Sequence, residues 1–200
     1  EVASTLHCLG QVHFLRDEFE EAVDCLAENL RVLRKFGCNE GEEVSKAELL
    51  LGSSYQEKGE FDAAIEQLSE ALLIMSASHG SNHLDIAQAH FRLGICFCEI
   101  GKYTESLEKF KECLDIRTTQ LGNLHLECAN TYESLGIVQQ KTECHEDAVH
   151  SFERALAIKK TSLVDDDEDL CILMHFIGSS LFALKRFDEA VGYFSESMER

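Results

Sequence analysis

The chain carries nine His and nine Cys in 200 residues, enough to ask whether any of them are spaced for chemistry. Two groups stand closest: Cys144 and His145 with His150, and His79 with His83. The first straddles a turn leading into a helical stretch, the second brackets Gly80-Ser81-Asn82, and neither has the spacing of a structural zinc site. The acidic run at residues 165–169 lacks the interleaved Gly and distal Glu of a calcium loop. Placed just ahead of a helical stretch, its carboxylates suit the positive end of a helix dipole. Cys96 and Cys98 are two apart in a helical stretch, which points them to different faces. No nucleophile, base and orienting group fall into a recognisable motif, and no Gly-rich loop follows a strand. Turn residues and small core thiols account for these spacings, so the expectation is no metal, no cofactor and no catalysis.

Composition narrows the classes further. A net charge of −19 and a pI near 4.8 repel phosphate backbones and anionic lipid surfaces, which excludes nucleic acid as a partner. No run of about 18 apolar residues is present, so no membrane insertion is expected. An odd number of cysteines without a CxxC pair fits free thiols in a reducing, cytoplasmic setting.

The elements that would position these residues are set by a period of 42. Leu-Gly occurs at Leu9-Gly10, Leu51-Gly52, Leu93-Gly94 and Leu135-Gly136, and returns as Ile177-Gly178. In the same register stand Ala22, Ala64, Ser106, Ala148 and Ala190, then Val23, Ile65, Leu107, Val149 and Val191. Fixed periods of this length mark stacked supersecondary units. Within a unit, apolar residues recur at helical spacing through Val44, Ala47, Leu51 and Tyr55, break at Gly59-Glu60, and resume through Phe61, Ile65, Leu68, Leu72 and Met75. The fold expected is all-α: a solenoid of five antiparallel helix pairs, with repeats at about 2–43, 44–85, 86–127, 128–169 and 170–200 forming a single elongated array. A Gly inside the first helix costs roughly 1 kcal/mol of helix propensity, so its recurrence implies close approach by the second helix. Gly80 and Gly122 are expected to cap second helices in the left-handed conformation. In the fourth copy His145 replaces the aromatic of Phe19, Phe61, Tyr103 and Phe187, which predicts looser packing there. The chain begins with Glu1 and stops inside the fifth copy, which reads as a piece of a longer protein, and the stripe of Phe187, Val191, Phe194 and Met198 is expected to promote self-association.

These columns resemble the tetratricopeptide repeat: Leu51, Gly52, Tyr55, Ala64, Leu68 and Ala71 in the second copy, and Leu93, Gly94, Phe97, Ser106, Phe110 and Cys113 in the third. The 42-residue unit and the segments His83-Leu84-Asp85-Ile86-Ala87 and His125-Leu126-Glu127-Cys128-Ala129 are similar to the long repeats of kinesin light chains, with Leu in place of Pro. The paired Asn of light chains is here Leu49-Leu50, Phe91-Arg92 and Glu133-Ser134. The resemblance implies that first helices line a concave groove through His7, Gln11, Phe14, Lys46, Leu49, Ser53, Gln56, Phe91, Arg92, Ile95, Glu99, Asn130, Glu133, Ile137, Lys141, His175, Ser179 and Phe182. Lys46, Arg92 and Lys141 offset Glu57, Glu99 and Glu133, giving a near-neutral strip on an acidic body. Phe91, Ile95 and Ile137 either anchor a partner or lie partly buried between neighbouring first helices. The function implied is a non-catalytic scaffold that binds a partner peptide or helix in this groove. The alternative is a cargo adaptor or regulatory module of the kinesin-light-chain kind within a larger protein.

Overall fold

The computed structural model describes residues 1–80, 82–162 and 168–199. Their regular structure is entirely α-helical: α1 (Val2–Leu15), α2 (Phe19–Lys35), α3 (Glu42–Glu57), α4 (Phe61–His79), α5 (Leu84–Glu99), α6 (Tyr103–Leu121), α7 (Leu126–Lys141), α8 (His145–Ser162), α9 (Glu168–Ala183) and α10 (Phe187–Glu199). The helices group into two compact units, Glu1–Lys102 with α1–α5 and Tyr103–Arg200 with α6–α10. In the first unit each helix packs on the next, and the same holds in the second for α6 to α10.

The core of each unit follows from the apolar periodicity. Val23, Leu26, Leu30 and Leu33 of α2 meet Val44, Ala47 and Leu51 of α3, while Ala64 and Leu68 of α4 meet Leu93 and Cys96 of α5. In the second unit Phe152 and Leu156 of α8 pack with Leu170, Leu173, Met174 and Ile177 of α9. Each such Leu, Ile or Phe contributes about 1.5–3 kcal/mol when fully buried.

The recurring glycine has the packing reason its sequence position demands. A Cβ on Gly52 would stand 2.7 Å from Leu68 Cγ, and one on Gly10 the same distance from Leu26 Cγ. On Gly136 it would lie 2.6 Å from the Phe152 ring, and on Gly178 2.7 Å from that of Phe194. In the fourth repeat Phe152 is fully buried against Gly136 and stacks on Phe176 with centroids 5.2 Å apart.

First helices end in a common turn. Asp17, Gly59, Gly101, Glu143 and Lys185 all have φ between 59° and 78°. In each copy the amide at this residue bonds three residues back and the next amide bonds five residues back, as in Glu143 N to Gln140 O (3.0 Å) and Cys144 N to Gln139 O (2.8 Å). This is the Schellman arrangement, which satisfies otherwise orphaned carbonyls. Gly80 also has positive φ at the end of α4, but its ψ of 169° is extended, so it is not the left-handed cap expected. His83 and His125 open α5 and α7, each Nδ1 accepting the backbone N–H two residues on at 3.2 Å. Cys96 and Cys98, expected on different faces, are both buried, because a first helix is covered on more than one side.

Candidate functional site: a cleft between first helices

Three first helices of the first unit converge on an open cleft of about 290 Å³ lined by His7, Gln11, Lys46, Leu49, Leu50, Ser53, Gln88 and Arg92. Helical spacing explains the convergence. His7 and Gln11 are one turn apart on α1, Lys46, Leu49, Leu50 and Ser53 span two turns of α3, and Gln88 and Arg92 are one turn apart on α5. No carboxylate is among these lining residues, although the chain as a whole is strongly acidic.

Arg92 is the best-braced side chain of the cleft. Its Nη1 donates to Gln56 Oε1 at 3.1 Å and to Glu57 Oε1 at 3.2 Å, and its guanidinium lies 5.8 Å from the Phe14 ring centroid. It thus ties α5 to both α3 and α1, and its buried Nε–H has no protein acceptor. Phe14 is in turn held edge-on by Phe19, with centroids 5.7 Å apart. Lys46 is exposed and pairs with Glu42 one turn earlier at 2.5 Å. Burial, reinforced by the charge of Lys46, holds the His7 imidazole below its usual pKa, so at neutral pH it is an uncharged donor and acceptor. Leu49 and Leu50 are half-buried. Ser53 is buried, its hydroxyl donating to the Leu49 carbonyl at 2.7 Å, so it shapes the wall and offers a partner no free donor.

The remaining positions are placed differently. Phe91 and Ile95 are half-buried and Glu99 is exposed, all on α5 outside the cleft lining. In the second unit, Glu133 accepts from Lys159 of α8 at 2.8 Å, and Lys159 also reaches Asp169 at 3.2 Å. Glu133 is therefore spent on an internal ion pair. Ser179 accepts from Gln140, which donates to Ser180 and the Phe176 carbonyl as well, tying α7 to α9. His175 packs against the Phe194 ring at 5.6 Å and exposed Phe182 against Phe187 at 5.5 Å. Asn130 and Lys141 are exposed, and Ile137 packs against the core. Sequence reasoning does not single out Leu50 as a cleft residue, although it stands in the column of Arg92.

Among the described residues no group of three or more His, Cys, Asp or Glu side chains could share a metal ion. Cys144 and His150 are exposed, and the Cys144 thiol donates to the Thr142 carbonyl. Of the acidic run, residues 165–167 lie outside the described residues, while Glu168 and Asp169 occupy the first turn of α9. All nine cysteines are free. Burial pushes the Cys96 thiol up to about 12 and that of Cys113 to about 11, which keeps both in the unreactive protonated form.

Two family models described as tetratricopeptide repeat match the chain, one over residues 43–119 and 85–161 and the other over residues 2–35. The chain belongs to the tetratricopeptide repeat family. Its fold is accordingly that of a protein-interaction scaffold. BtubC (BKLC) from P. vanneervenii aligns over 98% of this chain and 78% of its own, with 20% identity and a TM-score of 0.84. A putative kinesin light chain with nearly identical TPR-like repeats from Podosopora anserina aligns over 98% and 93%, at 19% identity and a TM-score of 0.82. MamA from Desulfovibrio magneticus RS-1 aligns over 100% and 94%, at 16% identity and a TM-score of 0.76. No curated protein matches. Among the described residues of this tetratricopeptide repeat protein no helix is long and apolar enough to cross a membrane.

Proposed function

We propose that this chain is a non-catalytic scaffold that binds a partner peptide or helix on the face formed by its first helices, with the α1–α3–α5 cleft as principal anchor. The observation that carries this reading is the convergence of Lys46, Arg92 and two half-buried leucines in one carboxylate-free cleft on an acidic protein. Leu49 and Leu50 supply apolar contact, and Arg92, preorganised by Gln56, Glu57 and Phe14, fixes the orientation of the bound chain. Within the first unit the half-buried Phe91 and Ile95 of α5 are further partner contacts in this reading, and within the second unit Asn130, Ile137, Lys141, His175 and Phe182, exposed or half-buried, are contacts of their own.

The test is a peptide array probed with the wild type and with Arg92→Ala and Lys46→Ala. Peptides that bind the wild type should lose about 1–2 kcal/mol with Arg92→Ala while the helical circular dichroism is kept, the size of a moderate interface anchor. Binding that survives both substitutions and is lost when acidic residues of second helices are neutralised would place the partner elsewhere.

A second reading is a kinesin-light-chain-like adaptor or regulatory module, supported by the long repeat and by the fold shared with the light-chain repeats of Podosopora anserina. A cytoplasmic setting is supported by the nine free thiols, and exclusion of nucleic acid by the net charge of −19. Self-association through α10 is supported by Val191, 61% exposed where its counterparts Val23 and Val149 are 7% and 6% exposed.

A further inference from the structure

Within each unit a second helix is covered by the first helix that follows it: α2 by α3 and α4 by α5, then α6 by α7 and α8 by α9. The residues that make this contact stand in fixed columns of the repeat. On first helices the columns of Val44, Leu51 and Ser54 are no more than 5% exposed in any copy from the second to the fifth. In α1 the same columns hold Val2, Leu9 and Val12, which are apolar yet 65%, 43% and 49% exposed. Between them Thr5 takes the place of buried Thr131 and, like it, donates its hydroxyl to the carbonyl four residues earlier, so that burying it strands no donor. On second helices the matching columns are those of Val23 and Leu30, buried or half-buried in the first four repeats. In α10 they hold Val191 and Met198, both largely exposed. The two faces are the separated halves of a contact that the chain makes with itself wherever a second helix precedes a first.

We propose that α10 of one copy docks on α1 of a second copy, burying Val191 and Met198 against the Val2, Leu9 and Val12 face in the manner of the α2–α3 contact. Charge supports this partner. At the α2–α3 contact Lys58 bridges Glu20 of α2 at 2.7 Å and Glu60 of its own copy at 2.8 Å. Arg16 stands in the column of Lys58 and Glu18 in that of Glu60, and these two pair at 2.9 Å. The column of Glu20 is filled in α10 by exposed Asp188, which docking brings to Arg16 of the second copy. α10 carries four carboxylates and no Lys or Arg, whereas α1 carries no carboxylate. Two α10 helices packed together would concentrate like charge in one interface; α10 on α1 does not. The contact is heterologous, joining different faces of identical chains. It rests on the self-association reading of α10 and names the surface that α10 meets.

Sedimentation of the 200-residue chain tests this at roughly 10 µM to 1 mM, since one helix face per copy is at the small end of protein interfaces. The wild-type mass is expected to rise above 22.5 kDa with concentration. Leu9→Glu spoils only the α1 face and Val191→Glu only the α10 face, and each should weaken association about ten-fold or more with the helical circular dichroism unchanged. Mixed in equal amounts, the two variants should form a dimer, because one keeps the α10 face and the other the α1 face. Val2→Glu, at a more exposed position, replaces Leu9→Glu should that variant lose helix. A wild type that stays monomeric throughout overturns both this contact and self-association through α10. If Leu9→Glu and Val2→Glu still associate alone while Val191→Glu does not, the α1 contact is overturned and self-association through α10 stands. A mixture as monomeric as its two components also overturns the contact.

Discussion

Glu48 is fully buried, with Oε1 accepting from Arg34 at 2.6 Å and Oε2 lacking a partner, while Glu66 and Glu70 add repulsion. Burial pushes its carboxyl up to about 7, against 4.5 for the free group. Below the lower value the carboxyl is protonated whether the chain is folded or not, and it costs nothing. As pH rises from 4.5 to 7 the unfolded chain releases its proton first, so this site makes stability fall across that window and stay low above it. Each tenfold change in acidity is worth ~1.4 kcal/mol, so the shift amounts to about 3.5 kcal/mol; less the ion pair with Arg34 that the substitution removes, Glu48→Gln should stabilise the protein at pH 8 by about 2–3 kcal/mol and flatten the decline. Urea unfolding at pH 5 and pH 8 measures both effects; equal stability of the two proteins at pH 8 would count against a buried, strained carboxylate. This residue was legible in part: Val44, Glu48 and Leu51 share one helical face, so a charge at 48 interrupts an apolar stripe. What could not be read was the absence of a second hydrogen-bond partner, because that depends on the atomic surroundings contributed by α2 and α4.

At the scale of elements, the 42-residue register located the helices of the described residues, because both the inter-helix glycine and the apolar columns are fixed by packing that repeats. Gly52→Ala illustrates the constraint. The substitution gains roughly 1 kcal/mol of helix propensity, yet the new Cβ would lie 2.7 Å from Leu68 Cγ and 3.1 Å from the Leu68 backbone nitrogen. Overpacking of this kind costs about 1–3 kcal/mol, so a net loss is expected by thermal unfolding. The Schellman turn gives the opposite expectation. Glu143 and Lys185 adopt φ of 61° where the second and third repeats use Gly, and left-handed backbone costs a non-Gly residue roughly 1–2 kcal/mol. Glu143→Gly should raise stability by about 0.5–1 kcal/mol once the entropy of Gly is counted, readable as a higher urea midpoint. The groove was harder to read than the helices. Repeat position brought His7, Gln11, Lys46, Leu49 and Arg92 to one cleft, but it did not reveal that Glu133 pairs with Lys159 or that Ser179 is held by Gln140. Those partners lie 26 and 39 residues away in sequence, on neighbouring helices.

For the molecule as a whole, the acidic surface and the near-neutral cleft, where Lys46 pairs with Glu42 and Arg92 with Glu57, set different salt dependences. A partner held mainly by Leu49 and Leu50 with one or two charged contacts should lose only a few-fold in affinity between 0.05 M and 0.5 M salt, because close and partly buried pairs are screened little. Titration calorimetry across that range distinguishes this from attachment to the acidic exterior, which would weaken steeply. Self-association has its own check: Val191→Glu and Met198→Glu, at positions 61% and 81% exposed, should lower the weight-average mass in sedimentation without loss of helix. The most direct measurement of where a partner sits is a methyl spectrum of the Leu-labelled protein titrated with an array-selected peptide. The cleft account predicts shifts at Leu49 and Leu50 and none at Leu73, which is 67% exposed on α4. Shifts at Leu73 with Leu49 and Leu50 unmoved would contradict it.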